Sequence, residues 1–126
     1  MVLWHKISVV KRYGEFMDYK DLPKNPVAVT MKMAGCKWKI LIIAELLGGT
    51  RRFSEIKKAL KGVTQKVLSS KLKELEQDGI LIREEIETKV KYTLTDIGYS
   101  LRPVILSLYD WGKDYKKYVK LLSMKK

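Results

Sequence analysis

Residues 64–83, TQKVLSSKLKELEQDGILIR, change hydrophobic period partway along. Val67, Leu68, Leu72 and Leu75 recur at i, i+1, i+5 and i+8, which is one stripe of a helix. Thr64 is its N-cap, because its hydroxyl can accept from an otherwise unpaired N–H of the first turn. Gly79 supplies the left-handed cap at which the chain reverses. From Ile80 onward the pattern alternates instead. A helix built this way rests on its leucines and leaves a polar side: Gln65, Lys66, Ser69, Ser70 and Lys73, with Thr64 at the cap. What that side faces decides what the chain does.

The flanking sequence narrows the answer. Downstream, ILIREEIE and KVKYTLT alternate apolar and polar residues, the mark of a half-buried two-stranded ribbon turning near Thr88. Upstream, FSEIKKAL spaces Phe53, Ile56 and Leu60 on one face and Lys57, Lys58 and Lys61 on the other, and KGV ends it. KWKILIIAELLGG is apolar almost all the way round and predicts a central buried helix stopped by Gly48 and Gly49. Before it, Val27 to Met33 forms a short helix with Asn25 as N-cap, Pro26 at its first position and Gly35 closing it. Helices followed by a hairpin make a mainly α chain with a small β-hairpin, a winged helix-turn-helix. In that arrangement the second helix enters a major groove about 12 Å wide, and its exposed residues meet base edges and phosphates.

Charge agrees with this placement. The 126 residues carry a net charge of +12, unevenly spread. Residues 51–75 hold eight Lys or Arg against two acids, a local balance of +6, whereas residues 76–98 stand at −3 and residues 113–126 at +5. A concentrated basic stretch favours a polyanion such as a nucleic acid backbone. Arg51 and Arg52, just before FSEI, are candidates for that backbone. On the wing the candidates are Thr88, Lys89 and Lys91 at the tip. Glu84, Glu85 and Glu87 would repel phosphate and are expected to face away, unless the wing contributes little. Arg83 serves either a phosphate or an internal ion pair.

Composition excludes other classes. One domain of this length buries roughly two-thirds of its unfolded surface without disulfide or metal. Cys36 and His5 are the only cysteine and histidine, which leaves no metal-ligand set, no catalytic triad and no expectation of a cofactor. No apolar run approaches the roughly 20 residues of a membrane span, and the N-terminus lacks a cleavable leader, so the expected location is the cytoplasm.

Two runs, KWKILIIAELLGGTRRFSEIKKALKGVTQKVLSSKLKELEQDGILIRE and VKYTLTDIGYSLRPVILSLYDWG, resemble the HxlR-type winged-helix regulators, which share the MarR architecture, over residues 25–112. The resemblance implies a homodimeric transcriptional regulator, not an enzyme, that binds an imperfect palindrome of double-stranded DNA. It divides the chain into an N-terminal arm (1–24) that helps dimerisation, a DNA-binding unit (25–98) and a C-terminal dimerisation helix (99–126). It also gives a purpose to the long apolar stripe that follows Thr95 and Asp96. Leu108, Trp111, Tyr115, Tyr118 and Leu122 would pack on the partner subunit. Family members often carry a cysteine before the Pro-Val of the first helix, in some a redox sensor; Asn25 stands there in this chain. Cys36 lies instead where a second Gly commonly precedes Lys-Trp, and is either a packed thiol or a sensor. Two rivals follow: a winged-helix protein-interaction module that does not use DNA, and a redox- or ligand-gated regulator using Cys36.

Overall fold

The computed structural model describes residues 19–125. The expected N-terminal arm therefore lies outside the described residues up to position 18. After a turn of 3-10 helix at Tyr19–Asp21 come α1 (Pro26–Ala34), α2 (Lys37–Leu46), β1 (Arg51–Arg52), α3 (Phe53–Ala59) and α4 (Gln65–Gln77). They are followed by β2 (Leu81–Ile86), β3 (Lys89–Leu94), α5 (Asp96–Tyr99) and α6 (Arg102–Met124).

The expected caps form. Asn25 accepts from the Val27 N–H at 2.8 Å with Pro26 at the first helical position, where its missing donor costs nothing. Thr64 accepts from the Val67 N–H at 3.1 Å. At the other end of α4, Gly79 takes φ +75°. The Ile80 and Gly79 N–H groups then bond back to the Leu75 and Glu76 carbonyls at 2.9 and 3.0 Å, a Schellman closure that turns the chain straight into the wing.

Leu68, Leu72 and Leu75 of α4 are buried against the core that Ile42, Ile43 and Leu46 of α2 anchor. Each such side chain contributes roughly 1.5–3 kcal/mol relative to exposure, so the stripe fixes the roll of α4 about its axis. Thr95, buried where the wing re-enters the core, latches the same corner. Its hydroxyl lies 2.7 Å from the Gly79 carbonyl and 3.0 Å from that of Ile80, and it accepts from the Gly98 N–H at 3.2 Å. A Cβ at Gly98 would collide with the Ile80 carbonyl, so this close approach requires glycine.

Three features differ from expectation. The wing is not a two-stranded ribbon but a three-stranded antiparallel sheet ordered β1-β3-β2, because Arg51 and Arg52 pair with Tyr92 and Lys91. A two-residue strand is too short to show a period of two. The terminal helical region breaks in two at Ser100–Leu101, and α6 restarts with Pro103 in its first turn. And α2 is not apolar-buried all round: Leu41 is exposed, whereas Lys39 is only 8% exposed. Lys39 buries its stem and brings Nζ to 3.1 Å from Glu74 Oε1, so a cation crosses from α2 to α4.

Burial alone would raise the Glu74 carboxyl, but hydrogen bonds from Lys39 and Lys71 outweigh it and hold the group below the ordinary carboxylate range. Its folded value lies below its unfolded one. The pair therefore stabilises the fold above the unfolded glutamate value of about 4.3, and that contribution is lost as pH falls through the folded value. Glu74→Ala strands a buried ammonium and is expected to lower stability by about 1–3 kcal/mol in urea unfolding at pH 7. Lys39→Met, which removes the charge and keeps the volume, is expected to stay within about 1.5 kcal/mol of the parent. Equal losses from the two would contradict the assignment.

Candidate nucleic-acid interface

With the leucine stripe buried, the opposite side of α4 is exposed among the described residues. Thr64, Gln65, Lys66, Ser69, Ser70 and Lys73 are all exposed, as the sequence predicts. At 100° per residue Lys66, Ser70 and Lys73 form the crest, and Gln77 extends it by one turn. Gln77 was legible in the sequence as the i+4 neighbour of Lys73. Ser69 lies on the flank nearer the wing.

Ser70 is more constrained than a surface serine. Its hydroxyl donates to Glu74 Oε2 at a long 3.4 Å, and Lys71 Nζ reaches the same oxygen at 3.2 Å. An acid one turn from the crest is thus neutralised by Lys39 and Lys71 rather than left to repel phosphate.

The structure separates the two arginines. Arg51 points to the inner side of the sheet, where Nε lies 3.6 Å from Glu45 Oε1 and Nη1 donates to the Thr50 carbonyl at 3.1 Å. Arg52 is exposed on the outer side, and its backbone N–H donates to Glu55 Oε1 at 2.8 Å, anchoring the start of α3. Lys57, Lys58 and Lys61 are exposed along and just after α3, beside the entry to α4.

The wing interleaves cations and anions along its strands. Cross-strand partners share a face, so Lys91 sits between Arg52 and Glu84, and Lys89 lies opposite Ile86. The acids are divided rather than turned away together: Glu84 takes the outer face, Glu85 the inner, and Glu87 the turn, at φ +60°. Arg83, on the inner face, lies 3.6 Å from Glu85 Oε2 and also lines a cleft of about 430 Å³ with Phe53, Ser69, Leu72, Lys73, Glu76 and Tyr92. Arg83 thus has both an ion-pair partner on its own strand and a place on the cleft.

Along α6 only Ile105 is buried, whereas Leu108, Trp111, Tyr115, Tyr118 and Leu122 are exposed on one face. The Trp111 and Tyr115 rings stack at 5.3 Å, and Tyr115 meets Tyr118 at 6.2 Å.

Cys36 is the half-buried N-cap residue of α2. Burial would raise its thiol, but the backbone N–H groups of Lys39 and Trp38 and the cations of Lys71 and Lys39 outweigh it and hold the thiol below its ordinary value. The thiol makes no side-chain capping hydrogen bond to α2.

Residues 33–120 match the family described as HxlR-like helix-turn-helix. YdeP of Bacillus subtilis, an uncharacterised helix-turn-helix transcriptional regulator, is 41% identical over 105 residues, covering 79% of this chain and 82% of its own. Among solved structures, the redox regulator HypR in its reduced form superposes with a TM-score of 0.71 at 34% identity, covering 76% of this chain and 98% of that one. The transcriptional regulator YodB of Bacillus subtilis, also reduced, gives 0.64 at 34% identity over 74% of this chain and 95% of its own. These relatives are regulators, not enzymes.

The lowered thiol sets a measurable expectation. The midpoint of iodoacetamide alkylation rate against pH for folded Cys36 should fall below that of the same chain unfolded in urea. An equal or higher midpoint would show that burial dominates at this position.

Proposed function

The chain belongs to the HxlR-like helix-turn-helix family of DNA-binding transcriptional regulators, and from that premise we propose that two copies bind an imperfect palindrome of duplex DNA, each laying α4 in a major groove. The observation that carries this reading is the exposure of Lys66, Ser70 and Lys73 opposite a fully buried leucine stripe. The helix cannot roll to hide its polar crest without exposing Leu68, Leu72 and Leu75.

Each crest residue has a matching chemistry. Gln65 suits adenine, which offers an acceptor and a donor side by side. Lys66 and Lys73 reach guanine acceptors or phosphates, and the lysines of α3 with Arg52 hold the flanking backbone. Ser70, with its proton directed to Glu74, keeps its lone pairs for the exocyclic amine of adenine or cytosine.

Dimerisation is supported by the exposed row on α6. Trp111 is 68% exposed and Tyr115 52%, an unusual cost for a lone chain and an ordinary one for a face that a second copy covers. Two-fold symmetry would set the half-sites about 34 Å apart, one turn of duplex. The location this reading implies is the cytoplasm. Gating through Cys36 is a second reading, favoured by its lowered thiol and by the redox regulator among the structural relatives.

Two experiments test the proposal. Duplexes selected from a random pool should share a half-site repeated at about one helical turn, and Lys66→Ala with Ser70→Ala should cost roughly 1–3 kcal/mol of discrimination for each well-formed hydrogen-bonded pairing with a base that the change removes. Selection of no common sequence, or a preference untouched by the double change, counts against α4 as the reading helix. Trp111→Asp with Tyr115→Asp should convert the protein from dimer to folded monomer in sedimentation and weaken DNA binding. A sedimentation profile unchanged by that pair would remove α6 from the interface.

A further inference from the structure

The geometry points to the base of the wing, not its tip, as the second contact with DNA: the cleft between α4 and β2 is a seat for one backbone phosphate, gripped by Lys73 on one wall and Arg83 on the other. The inference rests on α4 lying in the major groove and adds to it the place where a strand leaving that groove is held.

The tip has little to offer an anion. Residues 84–91 carry three acids against two lysines. Lys91 stands between Glu84 and Arg52, Lys89 lies opposite Ile86, and the turn itself is occupied by Glu87. The base is built differently. Arg83 is the cross-strand partner of the buried Tyr92, so it leaves the sheet on the inner face, where the sheet meets α4. There it lines one cleft with Ser69 and Lys73, the flank and crest of the same helix, over a floor that includes Phe53 and Tyr92.

The cleft is lined by an arginine fork, an ammonium and a hydroxyl, donors that match the oxygens of a phosphodiester, together with the Glu76 carboxylate. A backbone running along a helix seated in the groove passes that flank. The Arg83–Glu85 pair, at 3.6 Å, is looser than the 2.7–2.9 Å of a strong charge-assisted bond, so the fork is free to turn toward a better acceptor. Glu76 and Glu85 balance the two cations. A free anion therefore gains little here, and the seat fills only when a duplex lying along α4 delivers the phosphate.

The test measures affinity for a mixed-sequence 30-base-pair duplex between 50 and 200 mM salt. Arg83→Gln is expected to reduce the magnitude of the slope of log K against log salt by about 0.9, the release associated with one phosphate. Lys89→Ala with Lys91→Ala is expected to leave the slope unchanged. Glu85→Gln, which frees the fork, is expected to tighten binding by about twofold to fivefold, the scale of one exposed ion pair, a gain that misfolding cannot produce. Inorganic phosphate should compete no better than its ionic strength predicts. An unchanged slope for Arg83→Gln, a reduced slope for the tip pair, no gain from Glu85→Gln, or specific competition by phosphate would each overturn the seat. A parent protein that shows no salt-dependent binding fails at the earlier step, the placement of α4 itself.

Discussion

Burial of Leu68, Leu72 and Leu75 against α2 is the constraint on which the rest of this molecule depends. Three leucines at helical spacing set the roll of α4, and the roll decides that Lys66, Ser70 and Lys73 stand outward. Rotating the helix by a quarter turn would expose apolar surface worth several kcal/mol and bury an ammonium. The interface is thus the complement of the core: the same side chains that stabilise the fold present the polar crest.

Roll alone does not set direction, and polar contacts at both ends of α4 supply it. Thr64 closes the first turn, while the Schellman bonds at Gly79 and the buried hydroxyl of Thr95 tie the last turn to the point where the wing returns. Between them Lys39 ties α2 to Glu74. This ion pair keeps an acid on α4 from acting as a free negative charge, so a residue that lowers the local charge in the sequence costs little at the surface.

The wing and α6 follow a different logic, in which charge and apolar surface stay exposed. On the wing's inner face Arg83 pairs with Glu85, while the outer face sets Arg52, Lys89 and Lys91 beside Glu84; Arg83 also shares the cleft at the wing's root with Lys73. On α6 a row of aromatic and aliphatic side chains stays exposed among the described residues, and only Ile105 of this helix is buried. Under the dimer proposed above, that row is the surface a second copy would cover.

By itself the sequence determined the elements that rest on short-range rules: the caps at Asn25 and Thr64, the reversal at Gly79, the buried stripe of α4, the hairpin near Thr88, the polar crest. Each follows from the chemistry of residues within one or two turns of one another, which is why periodicity and capping expose it. Tertiary structure alone decided the rest. Arg51 and Arg52 became a third strand because Tyr92 and Lys91, about forty residues away, offered an edge. Arg51 turned to Glu45, Lys39 went inward to Glu74, and Arg83 came to stand beside Lys73 across a cleft. A charged side chain has several acceptable partners at long range. Local pattern gives its identity and face, but only the packing of distant elements chooses which partner lies within reach.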